Sequence, residues 1–154
     1  MRPFGRHSVC GILLAALAAA GLAGCAANAL DSSTAKKLRG LAALYTSLAA
    51  SHQGAGPKSA KELKDFALSV PPMMLPAEGI DPSDREAVFT SDRDRQPFVI
   101  LPGVIIRGMT GTAAPVVAHE QTGVGGKRLV VFANAKVEEA DDDRLQELLS
   151  QPAH

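Results

Sequence analysis

Hydrophobic positions recur every three or four residues in the first half of the chain and change to short continuous runs in the second half. Between Ser33 and His52 the period is that of a helix with one buried face, preceded by capping side chains at 31–33 and followed by the helix-breaking segment 54–57. The predicted buried face comprises Leu38, Leu41, Ala42, Tyr45, Leu48 and Ala49. A solvated position is predicted for three basic residues, Lys36, Lys37 and Arg39.

A second, shorter helix is predicted to begin after Ser59. Ser59 and Glu62 form a capping-box pattern at its start, and Pro71–Pro72 ends it. The inward side chains are predicted to be Leu63, Phe66 and Val70. In the Pro-rich connection that follows, the run Met73–Leu75 is predicted to pack on the core, and a copper or partner contact through the paired methionines is the alternative.

Short β-like runs replace the helical pattern from Glu86 onward. They cover 87–90, 98–101, 104–106, 115–118 and 129–132. The last run is followed by a polar turn at 133–136 and a return through Val137, which is typical of a hairpin. A charged turn, Ser91–Arg95, separates the first two runs.

A final helix is predicted to begin at three consecutive acids, because negative charge is favourable at a helix N-terminus. These acids are Asp141, Asp142 and Asp143, and the predicted buried face comprises Leu145, Leu148 and Leu149. Helices, then antiparallel strands, then a closing helix predict an α+β fold. We expect the long first helix to pack on a small antiparallel sheet of three to five strands, with a short second helix and a C-terminal helix.

The N-terminus has the pattern of a bacterial lipoprotein signal. Arg2 and Arg6 precede an apolar run over 9–22 that is too brief to span a bilayer comfortably. The sequence Leu22-Ala23-Gly24-Cys25 resembles the lipobox of lipoprotein processing. That resemblance implies cleavage before Cys25, a diacylated sulfur on Cys25 and an acylated new N-terminus.

An ordinary secretory signal is the alternative, with cleavage after the small-residue stretch 27–29 and no lipid. The lipoprotein hypothesis divides the chain into a signal peptide at 1–24, a lipidated tether at 25–31, a single α+β domain at 32–150 and a flexible tail at 151–154. Ala26 follows the cysteine in place of an aspartate that would favour inner-membrane retention. In a Gram-negative envelope this implies the inner leaflet of the outer membrane.

The composition of the chain disfavours several classes of function. With the signal, the chain loses two of its 16 basic side chains and keeps all 16 acidic ones, a balance that disfavours nucleic acid as a partner. Both cysteines, Cys10 and Cys25, lie in the N-terminal segment, so the mature domain would have no thiol for a disulfide, a metal site or a nucleophile. The absence of tryptophan and the single tyrosine disfavour an aromatic-lined ligand cage.

The run Lys37–Tyr45 resembles the helix that opens the globular part of pilin-like and pseudopilin-like proteins, and more narrowly that of pilin-related proteins secreted by planctomycetes. The similarity extends to the Gly/Pro break and short helix at 54–66, the turn at 92–98 and the hairpin at 126–134. It implies a pilin-like fold for most of the mature chain.

Two departures limit what this resemblance implies. A lipobox stands in place of the methylated transmembrane half-helix, so we do not expect this chain to polymerise as a pilin does. Asn134-Ala135 stands where the family commonly has Asp-Gly. Because alanine is strained at positive φ, a two-residue mirror-type turn is disfavoured here.

Three polar segments are candidate sites. The glycine-rich run 122–127 lacks the Ser or Thr after its lysine that a phosphate-binding loop needs, which favours a flexible strand connection. His119 and Glu120 are adjacent, and adjacent strand residues point to opposite faces, so they are not expected to act on one atom. Asp92 and Asp94 could begin a calcium site of the kind that some pseudopilins carry, but their arginine neighbours favour a solvated charged turn.

No catalytic residue, metal ligand or cofactor is therefore predicted, and Cys25 is the one predicted site residue, as the lipidation site. The hypothesis is a non-enzymatic, periplasm-facing envelope lipoprotein that binds or scaffolds a protein partner and contacts the membrane through its lipid. The alternative is a small envelope metal-binding protein or enzyme that uses His119/Glu120 or the Asp92/Asp94 turn.

Overall fold

The computed structural model describes residues 28–75, 79–106 and 114–151, which form three α-helices and one four-stranded antiparallel sheet. The helices are α1 (Ser33–Ser51), α2 (Ala60–Ser69) and α3 (Asp142–Ser150). The strands are β1 (Val99–Ile100), β2 (Val116–His119), β3 (Arg128–Phe132) and β4 (Val137–Ala140), and they lie in the sheet in chain order. The predicted α+β class is confirmed. The predicted signal peptide, Cys25 and the tail beyond Gln151 lie outside the described residues.

Helix α1 is the central element of the core. Ser32 caps its start, with the Ser32 Oγ accepting a hydrogen bond from the Ala35 N–H at 3.2 Å. All six side chains predicted for its inner face are buried, and the helix contacts α2 and strands β2 and β3. The amphipathic period therefore predicted both the extent of the helix and the side that faces the sheet.

The sheet separates a large core from a small one. The large core lies between α1 and one face of the sheet, while α3 covers the other face and buries Leu145 and Leu148 against Val130. A register shift between Val116 and Ala118 marks a β-bulge in β2. The predicted start of this helix is confirmed, with Asp141 as its N-cap, whereas Leu149 is exposed rather than buried as predicted.

Two predicted strands are wrong. Arg85–Phe89 is a 3-10 helix, because the Asp84 carboxylate accepts a hydrogen bond from the Ala87 N–H at 3.2 Å and caps the turn. The segment 104–106 stays outside the sheet and bridges Ala55 through Ile105. In both places contacts with the α1 region replace strand pairing.

The hydroxyl of Tyr45 in α1 explains why 104–106 lies there. It donates a hydrogen bond to the Leu101 carbonyl at 2.7 Å and accepts one from the Val104 N–H at 3.2 Å. Gly56 lies so close that a Cβ added there would be 2.1 Å from the tyrosine oxygen. Thus one buried side chain and one glycine hold two loops together at the end of α1.

The hairpin between β3 and β4 has a three-residue turn. The Ala135 N–H donates to the Phe132 carbonyl at 2.9 Å, and Ala135 itself has a φ of 62°. This is a type I turn followed by a left-handed residue, so the expectation against a two-residue mirror-type turn is confirmed. The left-handed position falls on the alanine rather than on Asn134.

The segment after α2 differs from its prediction. Met73 is 90% exposed and Met74 is 71% exposed, so neither packs on the core as predicted. They belong to a 3-10 turn, Pro72–Met74, that carries them outward, whereas Leu75 packs against the core. Within the described residues, every helix is too short or too polar to cross a membrane.

Candidate functional site

The polar side chains of the predicted charged turn Ser91–Arg95 reach three separate parts of the molecule. The turn is closed by a hydrogen bond from the Ser91 N–H to the Gln96 carbonyl at 3.0 Å, and Arg95 has a φ of 57°. The prediction of a turn is confirmed. The prediction that it is solvated holds for Asp92 and Arg95, which are exposed, whereas Ser91 is buried and Arg93 and Asp94 are half-buried.

Asp92 attaches the turn to α1. Its carboxylate accepts a hydrogen bond from the Lys37 Nζ at 2.6 Å, and its N–H donates to the Thr34 Oγ1 at 3.1 Å. The lysine contact lowers the pKa of Asp92, against the raising effect of burial. Lys37 is therefore not on a solvated face as predicted, and Arg39 likewise donates to the Leu30 carbonyl at 2.8 Å.

Glu120 attaches the turn to the sheet. Its side chain is fully buried and accepts hydrogen bonds from the Ser91 Oγ at 2.7 Å and from the Leu129 N–H at 2.8 Å. The Arg93 guanidinium lies 3.6 Å from the same carboxylate and also donates to Glu139 of β4 at 3.1 Å. A carboxyl group is stable in a buried position only with such partners, so these contacts account for the burial of Glu120 without a functional role.

Asp94 attaches the turn to the glycine-rich loop. One carboxylate oxygen accepts hydrogen bonds from the Thr122 N–H, the Thr122 Oγ1 and the Gly123 N–H at 3.0, 2.9 and 2.8 Å. Burial alone would raise its pKa, but these bonds and one from the Gln96 N–H lower it to about 2. Asp94 is thus ionised at neutral pH and holds the loop in place.

The glycine-rich loop is a strand connection, as predicted. Val124 and Lys127 form a β-bridge, and β3 begins at Arg128, so no helix N-terminus follows the lysine. Gly123 has a φ of 69°, and a Cβ there would be 2.1 Å from the Lys127 carbonyl oxygen. The glycine is explained by this close approach of two backbone segments.

His119 lies apart from the Glu120 carboxylate. His119 pairs across the sheet with Val130, which belongs to the small core under α3. The Glu120 N–H donates instead to the carbonyl of Leu129, which belongs to the large core. The ring Nδ1–H donates to the Glu120 carbonyl at 2.7 Å. Burial lowers the pKa of His119, which makes the ring neutral at pH 7. The two side chains therefore do not converge on one point, in agreement with the expectation from strand alternation.

The carboxylates of Asp92 and Asp94 also diverge, toward α1 and toward the glycine-rich loop. Among the residues that the structure describes, no group of three or more His, Cys, Asp or Glu side chains could hold a metal ion. The sequence interpretation missed Ser91 and Thr34, which accept backbone N–H groups of this turn. The one available signal was the alternation of acids and arginines, which favours a turn that makes several ion pairs.

A second feature of the surface is an apolar groove between α1 and the end of α2. It has a volume of about 420 Å³ and is lined by Leu44, Ser47, Phe66, Ser69, Val70, Pro71 and Met74. Phe66 is half-buried and packs against the core as predicted, and it also lines the groove. Val70, predicted to face the core as well, is half-buried in the groove lining. The groove and the exposed methionines beside it form the apolar part of this face.

The chain was compared with known proteins at the level of families, curated proteins and solved structures. No family model, no curated protein and no solved structure matches it. A functional assignment therefore rests on the residues of this chain.

Proposed function

We propose that this chain is a lipid-anchored cell-envelope protein whose α+β domain, similar to those of pilin-like proteins, is a non-enzymatic binding or scaffolding module. The observation that carries the proposal is the sequence Leu22-Ala23-Gly24-Cys25 behind an apolar run and two arginines. In this proposal Cys25 carries the lipid, the domain faces the periplasm, and the membrane is the outer one if the cell is Gram-negative.

The start of the fold supports a domain close to the membrane. Ala29–Asp31 forms a 3-10 turn, and Leu30 packs against the core. Only residues 26–28 therefore separate Cys25 from the first packed residues, fewer than the tether of 25–31 that the sequence suggested. Three residues extend over at most about 11 Å, so an anchor at Cys25 would keep the domain against the lipid head groups.

The internal use of the polar groups supports a binding module over an enzyme. The carboxylates of Asp92, Asp94 and Glu120 each accept hydrogen bonds from this chain's own backbone or side chains. A catalytic acid or base needs a free position within hydrogen-bond distance of a substrate. These three groups instead contribute to the stability of the fold.

The anchor is tested by Cys25→Ser, with Cys10→Ser as the matched control. We expect the wild-type chain and Cys10→Ser to incorporate labelled palmitate and to remain in the membrane fraction. Cys25→Ser should lose the label and either leave the membrane or keep its uncleaved signal, and the mass of the product distinguishes these results. A Cys25→Ser product that is processed, unlabelled and still membrane-bound would contradict the anchor.

The binding role is tested by crosslinking in cells that produce the tagged lipoprotein, followed by mass spectrometry. A reproducible partner that is lost in Cys25→Ser is expected for an anchored interaction module. Efficient lipidation without any crosslinked partner would contradict the binding role while leaving the anchor intact.

A further inference from the structure

The sheet ends at β4 with an unpaired strand edge. The strands lie in chain order, so β4 pairs with β3 on one side and with no described strand on the other. The β3–β4 ladder starts where the Phe132 N–H donates to the Lys136 carbonyl at 3.0 Å. Successive residues of an antiparallel pair turn their backbone groups alternately toward and away from the neighbouring strand. Val137 and Glu139 therefore direct their N–H and C=O groups to the open side.

These four backbone groups are available to a partner. Within residues 28–75, 79–106 and 114–151, no hydrogen bond joins the N–H or C=O of Val137 or Glu139 to another segment. An open edge of this kind is a template for pairing with other chains, and proteins usually cover it or place charges on it. The charges on β4 are neutralised, because Glu138 pairs with Arg144 at 2.9 Å and Glu139 with Arg93 at 3.1 Å. The edge thus presents hydrogen-bonding groups without a repelling charge.

The 3-10 turn Ala29–Asp31 lies beside this edge, because it contacts both β4 and α1. Its position is fixed by two hydrogen bonds. Arg39 of α1 donates to the Leu30 carbonyl at 2.8 Å, and the Ser32 hydroxyl donates to the Ala29 carbonyl at 2.6 Å. The chain that follows Cys25 therefore enters the domain next to β4.

The length of the tether limits which side of the domain can face a membrane. Residues 26–28 reach at most about 11 Å. A domain with the length of 28–151 has a radius of gyration of about 14 Å, which makes it roughly 35 Å across. The side remote from Ala29 is therefore too far away to meet the head groups of a membrane in which Cys25 is anchored.

We propose that the turn Ala29–Asp31 and the edge of β4 face the lipid head groups, which cover the unpaired edge. Phosphate oxygens of the head groups accept from the two free N–H groups, and head-group ammonium ions donate to the two carbonyls. Hydrogen bonds with one charged partner are stronger than neutral ones. This inference rests on the proposed anchor at Cys25 and adds the side of the domain that meets the membrane.

The test measures how close single positions lie to the head groups. The purified mature lipoprotein is inserted into vesicles of phosphatidylethanolamine and phosphatidylglycerol, a fraction of which carry a nitroxide on the head group. The sulfur of Cys25 would carry lipid, so a cysteine introduced elsewhere is the single reactive thiol for a fluorescent label. The nitroxide quenches a label only at short range.

Two matched pairs of exposed positions are compared. Asp31→Cys lies in the 3-10 turn and Lys136→Cys directly precedes β4, and both are expected near the membrane. Their controls are Asp65→Cys and Lys61→Cys on α2, whose main contacts are with α1 and the 3-10 helix Arg85–Phe89 rather than with β4. Each near position should be quenched at least threefold more than the control of the same charge.

A longer tether should remove this difference. Twenty Gly/Ser residues inserted between Ala27 and Asn28 span about 25 Å on average, which lets the domain turn freely above the membrane. The ratio between near and control positions should then fall toward one, while the lipid on Cys25 is retained. A ratio that survives in the lengthened chain would overturn the tether as the cause of the orientation.

Flotation of the vesicles separates failure of the anchor from failure of this inference. Protein that carries no lipid and does not float with the vesicles would contradict the anchor, and the orientation with it. Protein that floats but is quenched equally at all four positions, or more strongly on α2, would overturn the orientation alone.

Discussion

Ala135 shows how one residue can take a conformation that its own chemistry disfavours. With Gln53 and Arg95 it is one of three non-glycine residues with positive φ in the described chain. A side chain with a Cβ at such an angle costs about 1–2 kcal/mol relative to glycine. The β3–β4 pairing imposes this cost, because the three-residue turn leaves no other position for the left-handed residue.

Ala135→Gly should therefore raise the free energy of unfolding by about 1 kcal/mol, since relief of strain exceeds the entropy that glycine adds to the unfolded chain. The measurement is urea unfolding of the purified Cys25→Ser protein. Ala133→Gly is the matched control, because Ala133 lies in the same turn, is buried and has no positive φ. It should lower stability by about 1 kcal/mol. Equal losses in both variants would show that Ala135 is not strained.

Tyr45 gives a second prediction at this scale. Burial raises the pKa of its hydroxyl to about 12, although the hydrogen bond from the Val104 N–H acts in the opposite direction. A raised acid pKa stabilises the fold at pH values below the unfolded pKa of about 10, and this stabilisation is lost as the pH rises toward 12. Tyr45 is the single tyrosine and the chain has no tryptophan, so tyrosinate absorbance reports this group alone.

We expect the native protein to show no tyrosinate near pH 10 and to ionise only near pH 12 or on unfolding, whichever comes first. The urea-unfolded chain serves as the control and should ionise near pH 10. Native ionisation that coincides with the unfolded curve would contradict the burial of this hydroxyl.

At the scale of elements, the turn at 91–95 links α1, the sheet and the glycine-rich loop. Each link uses a different side chain: Asp92 contacts α1, Arg93 contacts Glu120 and Glu139, and Asp94 contacts the loop. Because residues more than 25 positions apart in the chain meet here, the turn contributes to the tertiary arrangement rather than to any single element.

Glu120→Gln should lower the free energy of unfolding by about 1–3 kcal/mol, because a buried amide cannot accept from both Ser91 and Leu129 or pair with Arg93. Glu139→Gln removes a carboxylate that is partly exposed and contacts the same arginine, and should cost less than about 1 kcal/mol. Thermal and urea unfolding of both variants give the comparison. Similar small losses would show that the buried network adds little stability.

At the scale of the whole molecule, a metal ion or enzymatic chemistry is the alternative to a binding module. Addition of calcium or zinc should shift the melting temperature by less than about 1 °C, because Asp92 and Asp94 are already held by protein groups and point apart. A clear upward shift that disappears in Asp94→Ala would contradict this and support a metal-binding protein. Differential scanning calorimetry of the Cys25→Ser protein provides the measurement.

Local sequence determined the elements whose signals lie within a few residues. The helical period predicted α1 and its buried face, Ser59 indicated the start of α2, and the apolar runs around 133–136 predicted the β3–β4 hairpin. The Ser59 Oγ accepts from the Glu62 N–H as the capping pattern predicted, while the Glu62 carboxylate accepts from Lys58 N–H instead of Ser59. The lipobox at Cys25 remains a prediction of this local kind.

Only the tertiary structure decided features that depend on distant residues. Val88 and Phe89 are both buried, although a strand would point them to opposite faces, because the Asp84 cap and contacts with α1 and α2 favour a 3-10 turn. No feature of the local sequence predicts that Lys37 forms an ion pair with Asp92, which lies 55 positions away in the chain.

The same contrast applies to the charged turn at 91–95 and to the apolar groove beside α2. The sequence by itself determined which residues carry charge in the 91–95 turn and which are apolar after α2. It did not determine that Asp94 would be held by the glycine-rich loop or that Met73 would remain in water. Side-chain chemistry and hydrophobic periodicity are properties of residues that are neighbours in the chain. Burial and the choice of hydrogen-bond partners depend on which distant segments the packed core brings together.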